Sequence, residues 1–223
     1  MTDSIERIKI KLYQLKELDS DFEISGANVH KYTLHPCLTR EQIENFESTH
    51  AVELPNDYVR FLTEIGNGGA GPFHGLLRLD EGLINFFDDS EKKDHTYFDL
   101  SKPFPHTTAW NVEEEIQKLY EKIDKANIDG DTALEEKLFE EKWLLIGGKE
   151  HDYGRINICD YGCGIWLTLI VNGVEKGNVW TDDRTNDAGI YPTTELGNTE
   201  KISFLEWYEL WLDISIGQIQ DND

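Results

Sequence analysis

The chain has 223 residues, with 21 Lys and Arg against 44 Asp and Glu, and so carries a formal net charge of −23. That length supports one well-buried core with room for an insertion, and an apolar share of 39% with six Trp excludes disorder of the chain as a whole. The charge disfavours nucleic acid and anionic membranes, whose phosphates need cationic partners.

The first helix is expected over residues 4–18, where Ile5, Ile8, Leu12 and Leu15 share a face and Asp3 with Glu6 fits a capping box. After a loop through Gly26 and His35-Pro36, Thr39 with Gln42 forms a second capping box opening a helix with Ile43 and Phe46. Pro55 begins a third helix carrying Tyr58, Phe61, Leu62 and Ile65, which Asn67-Gly68-Gly69 ends, Gly and Asn being suited to the left-handed turn after a last carbonyl. His74 to Leu79 shortens to a strand-like pattern, and the apolar pair Phe86-Phe87 precedes the acidic stretch Asp88 to Asp94.

Beyond Pro103-Phe104-Pro105, Asn111 with Glu114 is expected to cap a helix whose buried stripe is Val112, Ile116, Leu119, Tyr120 and Ile123. A break at Asn127 to Gly130 and a second start at Thr132 with Glu135 make a helical hairpin. From Trp143 the period changes: Ile156 and Ile158 alternate with polar neighbours, and Ile165 to Val171 is the apolar run of a central strand. Asn172-Gly173 predicts a two-residue hairpin with Val174 to Trp180 returning antiparallel. Ser203 with Glu206 caps a closing helix with Phe204, Trp207, Tyr208, Trp211 and Leu212 on one side, ahead of a frayed tail from Gln218 to Asp223. Helices, then strands, then a closing helix give α+β, with a mainly antiparallel central sheet, N-terminal helices, an inserted helical hairpin and the C-terminal helix in one domain over residues 1–223.

The excess charge is uneven. Residues 1–40 hold six basic and six acidic side chains, so the negative charge lies downstream. It serves solubility, and it favours and speeds encounter with a basic protein. The N-terminus MTDSIERIKIK has regular charges and no apolar stretch of a signal peptide, and no run approaches the ~20 apolar residues of a membrane span. A cytoplasmic protein is expected, with no membrane partner. Cys37, Cys159 and Cys163 are odd in number, unlike a disulfide scaffold, and are expected as buried apolar thiols.

Motifs that suggest chemistry fail on context. Gly66 to Gly71 fits G-x-G-x-x-G, but a dinucleotide fingerprint follows a strand and opens a helix, whereas here a helix precedes and Pro72 follows. Lys125 to Glu136 has the glycine and glutamate of a calcium loop, yet Lys125 stands where the ion needs a carboxylate. Cys159 and Cys163 lack a second ligand pair for zinc. There is no G-x-S-x-G elbow, Walker loop or H-E-x-x-H, so no catalytic, cofactor or metal site is indicated.

Leu54-Pro55 with Tyr58, followed by Asn67-Gly68-Gly69, resembles the LP-x-x-Y…NGG core of the SUKH superfamily, mostly bacterial immunity proteins with a fungal cell-wall glucan synthesis regulator as a eukaryotic relative. Ile146-Gly147-Gly148, Cys159 to Val171, Gly177 to Asp183 with its Val179-Trp180-x-Asp182, Ile190-Tyr191-Pro192 and Ser203 to Leu212 follow in the family's order. The resemblance covers about residues 37–80 and 143–213. Residues 88–142 are longer and more helical than a minimal member, and the helix at 4–18 is extra.

The resemblance implies binding rather than catalysis: an immunity protein that neutralises a cognate toxin, often a nuclease, for which a basic enzyme surface suits the acidity. The alternative is an intracellular regulatory scaffold related to cell-wall synthesis control, and a third is an unrecognised hydrolase. Asn67, Gly68 and Gly69, on a turn whose first role is to end a helix, and Asp182 and Asp183, expected in solvent just beyond a strand, are the candidate partner contacts. Trp166, Trp180 and Trp207 are expected in the core.

Overall fold

The computed structural model describes residues 3–83 and 98–222, so Phe86-Phe87 and the acidic stretch that follows lie outside the described residues. The described chain runs α1 (Ser4–Leu18), a short α2 (Ala27–His30), α3 (Arg40–His50), α4 (Asn56–Glu64), α5 (Glu113–Asp129), α6 (Thr132–Ile146), β1 (Arg155–Gly162), β2 (Ile165–Ile170), β3 (Val179–Asp183), β4 (Gly189–Pro192) and α7 (Phe204–Asn222). The fold is α+β, and the four strands form an antiparallel meander in the order β1-β2-β3-β4.

Side chains alternate across this sheet, as a period of two requires. Leu167, Leu169 and Val179 face the main apolar cluster shared with α1, α4 and α7. Ile170, Trp180 and Ile190 face the other way, against Phe104 and Trp110. β2 is therefore covered on both faces, as its apolar run predicts. Trp180 and Trp207 are fully buried, while Trp166 is only partly so.

Aromatic rings hold the helices to the core. Tyr58 and Phe61 of α4 meet Phe204 edge-on at 4.7 and 5.1 Å, and Phe61 meets Tyr208 at 4.8 Å. Burial of such rings contributes about 1.5–3 kcal/mol each. α1 crosses α7 through Ile5, Ile8, Leu12 and Leu15, and Arg7 and Lys11 both reach Glu209, at 2.7 and 2.8 Å. α7 continues through the expected frayed tail, because Ile219 is buried in the main cluster.

Two of the expected capping pairs interact as the sequence suggests. Thr39 and Gln42 form both halves of their capping box. Ser203 donates from its backbone N–H and Oγ to Glu206. Other caps shift: Asp3 makes no cap bond and pairs with Arg60, Asn111 does not cap α5, and Asp131, not Thr132, accepts from the Leu134 N–H at 3.1 Å.

Two expectations are corrected by tertiary contacts. Residues 74–79 make single bridges, Leu76 to Gly69 and to Cys159, rather than a strand. Asn172-Gly173 does not close a two-residue hairpin; residues 171–178 link β2 to β3. The Asn172 side chain donates to the carbonyls of Leu100 and Ser101, and its own carbonyl accepts from Phe104 N–H at 3.0 Å. These contacts with the 100–104 segment displace the tight turn.

Candidate partner-binding surface

The turn after α4 is a three-way joint. Asn67 N–H donates to the His35 carbonyl, and the Asn67 side chain accepts from Leu79 N–H at 2.9 Å. Gly69 and Leu76 exchange both backbone hydrogen bonds, at 2.9 and 2.8 Å, while Ala70 N–H reaches Thr33. Gly69 has φ +108°, and a Cβ there would lie 2.3 Å from the Thr33 carbonyl oxygen, so only glycine fits. Gly68 is buried, and Asn67 and Gly69 are partly so. Most of this turn's polar capacity is spent internally. Asn67 also lines a concavity of about 380 Å³ with Phe46 and Arg78.

Asp182 and Asp183 are not in solvent: they are 3% and 8% exposed. β3 lies between β2 and β4, and Asp182 shares the sheet face of Trp180, where two arginines receive it. Arg184 donates through Nε to Asp182 Oδ1 at 2.8 Å and through Nη2 to Oδ2 at 2.7 Å; Arg155 reaches Oδ2 at 2.8 Å. Asp152 completes a quartet, accepting from Arg155 and, at 2.9 Å, from Arg184. Burial alone would raise the Asp182 carboxyl, but the adjacent Arg155 and Arg184 charges outweigh it and hold the group well below the usual carboxylate range. Asp183 is bound by the Asn186 side chain at 2.7 Å.

Beside the quartet, His106 and His151 stack and share a hydrogen bond of 2.9 Å between Nε2 and Nδ1. Trp110 packs on His151 at 4.1 Å. Burial pushes both imidazoles down to about 4; next come the charge of His151 on His106 and that of Arg184 on His151. Sequence reasoning missed Arg155, Arg184, Asp152 and the histidine pair; Arg184 immediately after Asp183 was the one local signal. Of the cysteines, Cys159 is buried, with its thiol pushed up by burial, whereas Cys37 and Cys163 are exposed, correcting their expected burial.

The helical hairpin has its own small core of Leu119, Ile123, Ala126 and Leu138. Of its exposed apolar side chains on α6, Phe139 and Trp143 stand one turn apart on one side, while Leu134 and Leu144 point elsewhere. Among the described residues, no three His, Cys, Asp or Glu side chains converge on a metal position, and no helix is long and apolar enough to cross a membrane.

A four-stranded meander covered by helices, carrying an acidic exterior and a buried charge quartet, defines an α+β protein whose charge is directed outward. The family model described as SMI1 / KNR4 family (SUKH-1) matches residues 37–192, and the chain belongs to that family. Comparison with curated proteins and with solved structures returned no match. The match includes the hairpin and ends at Pro192, leaving α1 and α7, which pack on each other, outside it.

Proposed function

We propose that this protein is an immunity protein that binds and neutralises a cognate bacterial toxin, a basic nuclease being the partner whose chemistry suits it best. The reading is supported by family membership over residues 37–192, and the observation that carries it is the net charge of −23. Of the two aspartates expected to meet a partner, Asp182 is consumed by internal arginines and Asp183 is buried and bound by Asn186, so the attraction comes from the remaining surface carboxylates. A field of that size raises the association rate with a cationic protein and rejects anionic competitors. An inhibitor that must act before its target does damage gains from a fast encounter.

Co-expression with the product of the immediately upstream gene tests it. Rescue of growth and a stable complex, with an association rate that falls steeply as salt rises, is the expected result. A harmful upstream product that this chain neither rescues nor binds would overturn the proposal.

A further inference from the structure

A second concavity lies where the loop after α1 and the segment following the glycine turn meet α7. About 300 Å³ of space is walled by Ile24, Phe73, Leu196, Trp211 and Ile214. It continues along α7 into a further space of about 400 Å³ through the shared Ile24 and Gln218. Three carboxylates line the joined groove, Glu23, Glu195 and Asp221; among the described residues no Lys, Arg or His does. Tyr191 and Thr181 both donate to Oε1 of Glu195, at 3.2 and 3.4 Å, leaving Oε2 without a donor among the described residues.

The walls are built in advance. Asp19 is 2% exposed and accepts from the Glu23 and Ile24 N–H groups and the Tyr32 hydroxyl, fixing the loop that carries Glu23 and Ile24. Gly26, at φ +81°, lies so close to Phe73 that a Cβ would sit 1.4 Å from the Phe73 carbonyl oxygen. Phe73 itself has φ +54°, a conformation that costs a bulky residue about 1–3 kcal/mol and recurs at binding sites.

We infer that this groove seats a basic amphipathic segment of a protein partner, with an apolar side chain against Trp211 and Phe73 and Lys or Arg on Glu23, Glu195 and Asp221. Charge complementarity selects the occupant. A second copy of a chain at −23 would bring its own negative field, and nucleic acid would bring phosphates. A long cation also has an apolar stem for the floor and a charged head for the rim. The inference rests on the reading of this chain as a protein-binding module and adds where the partner enters.

The test is an NMR titration of the full chain with a synthetic leucine–lysine peptide of helical period, using its leucine–glutamate counterpart as control. Saturable shifts should concentrate at Ile24, Leu196 and Ile214. Affinity should fall at least about tenfold in Ile214→Glu or Leu196→Glu, both replacing partly exposed side chains, and by a smaller factor in Glu195→Gln. Shifts centred on the hairpin, equal binding of the glutamate peptide, indifference to both Glu variants, or dimerisation in sedimentation would each overturn it. The peptide experiment is separate from toxin rescue. Groove binding without rescue removes the toxin and keeps the groove, and rescue unaffected by Ile214→Glu removes the groove and keeps the toxin.

Discussion

Asp182 shows how far one residue's role depends on what surrounds it. In solvent, two adjacent aspartates would be a patch for a cation; on the Trp180 face of the sheet, Asp182 and Asp152 together balance two buried guanidiniums. Removing one partner of a buried ion network costs about 3–5 kcal/mol, since the charges left behind stay desolvated. Asp182→Asn should therefore lower unfolding free energy by that order in a urea titration, where a surface aspartate would change it by less than about 0.5 kcal/mol. The histidine pair gives a pH signature. Each imidazole titrates at about 4 in the fold against 6.5 unperturbed, so between those values the unfolded chain binds more protons. Their contribution is complete above pH 6.5 and is lost as pH falls toward 4. The neutral pair needs one ring to donate and the other to accept, so double protonation breaks the bond. Urea unfolding at pH 7.5 and pH 5 should show a larger loss in the parent chain than in His106→Phe, which retains ring packing and removes one titrating group.

At the scale of elements, the α5–α6 hairpin is a body with its own core, fastened at few points. Lys142 is 5% exposed and lies 2.7 Å from Asp187, whose other oxygen accepts from the Tyr120 hydroxyl at 2.6 Å. Arg184 reaches the Ile146 carbonyl at 3.1 Å, joining the hairpin's end to the quartet. Burial would lower the Lys142 ammonium, but the bond and charge of Asp187 outweigh it and raise it. Lys142→Met should leave the sheet intact and loosen the hairpin. Hydrogen exchange would then accelerate in residues 113–146 and stay unchanged in β2 and β3, the pattern of a separately opening unit; uniform acceleration would mean that the hairpin is not separable. The hairpin was legible because its helix period and the Gly130 break are local, as was the Thr39–Gln42 box. The groove was not, because Ile24, Phe73, Leu196 and Trp211 come from four distant stretches that only the fold assembles. The place of Asp182 was hidden for the same reason: Arg155 stands a strand away, and a period-two pattern reads which face a residue takes, not what waits there. Asn172-Gly173 misled because a local turn preference yields to hydrogen bonds with residues 100–104.

For the whole molecule the decisive quantity is the imbalance of 44 acidic against 21 basic side chains. Several cations are already engaged with carboxylates inside the fold, Arg155 and Arg184 in the quartet and Lys142 at the hairpin, so they screen little of the outer field. Self-repulsion then opposes the compact state, while the exposed ion pairs that salt would weaken are worth at most about 1 kcal/mol each. Raising ionic strength from about 0.01 to about 0.1 M shortens the screening length from about 30 to about 10 Å, which removes repulsion between distant carboxylates and leaves the buried pairs untouched. The melting temperature should therefore rise with sodium chloride over this range, and rise further with a polyvalent cation such as spermidine at equal ionic strength. A fall in both would mean that the exposed pairs, Arg7 with Glu209 foremost, outweigh the repulsion. The same surface charge that destabilises the isolated protein is what a cationic partner would neutralise on binding, so the complex should melt higher than the free chain by a margin that shrinks as salt is added.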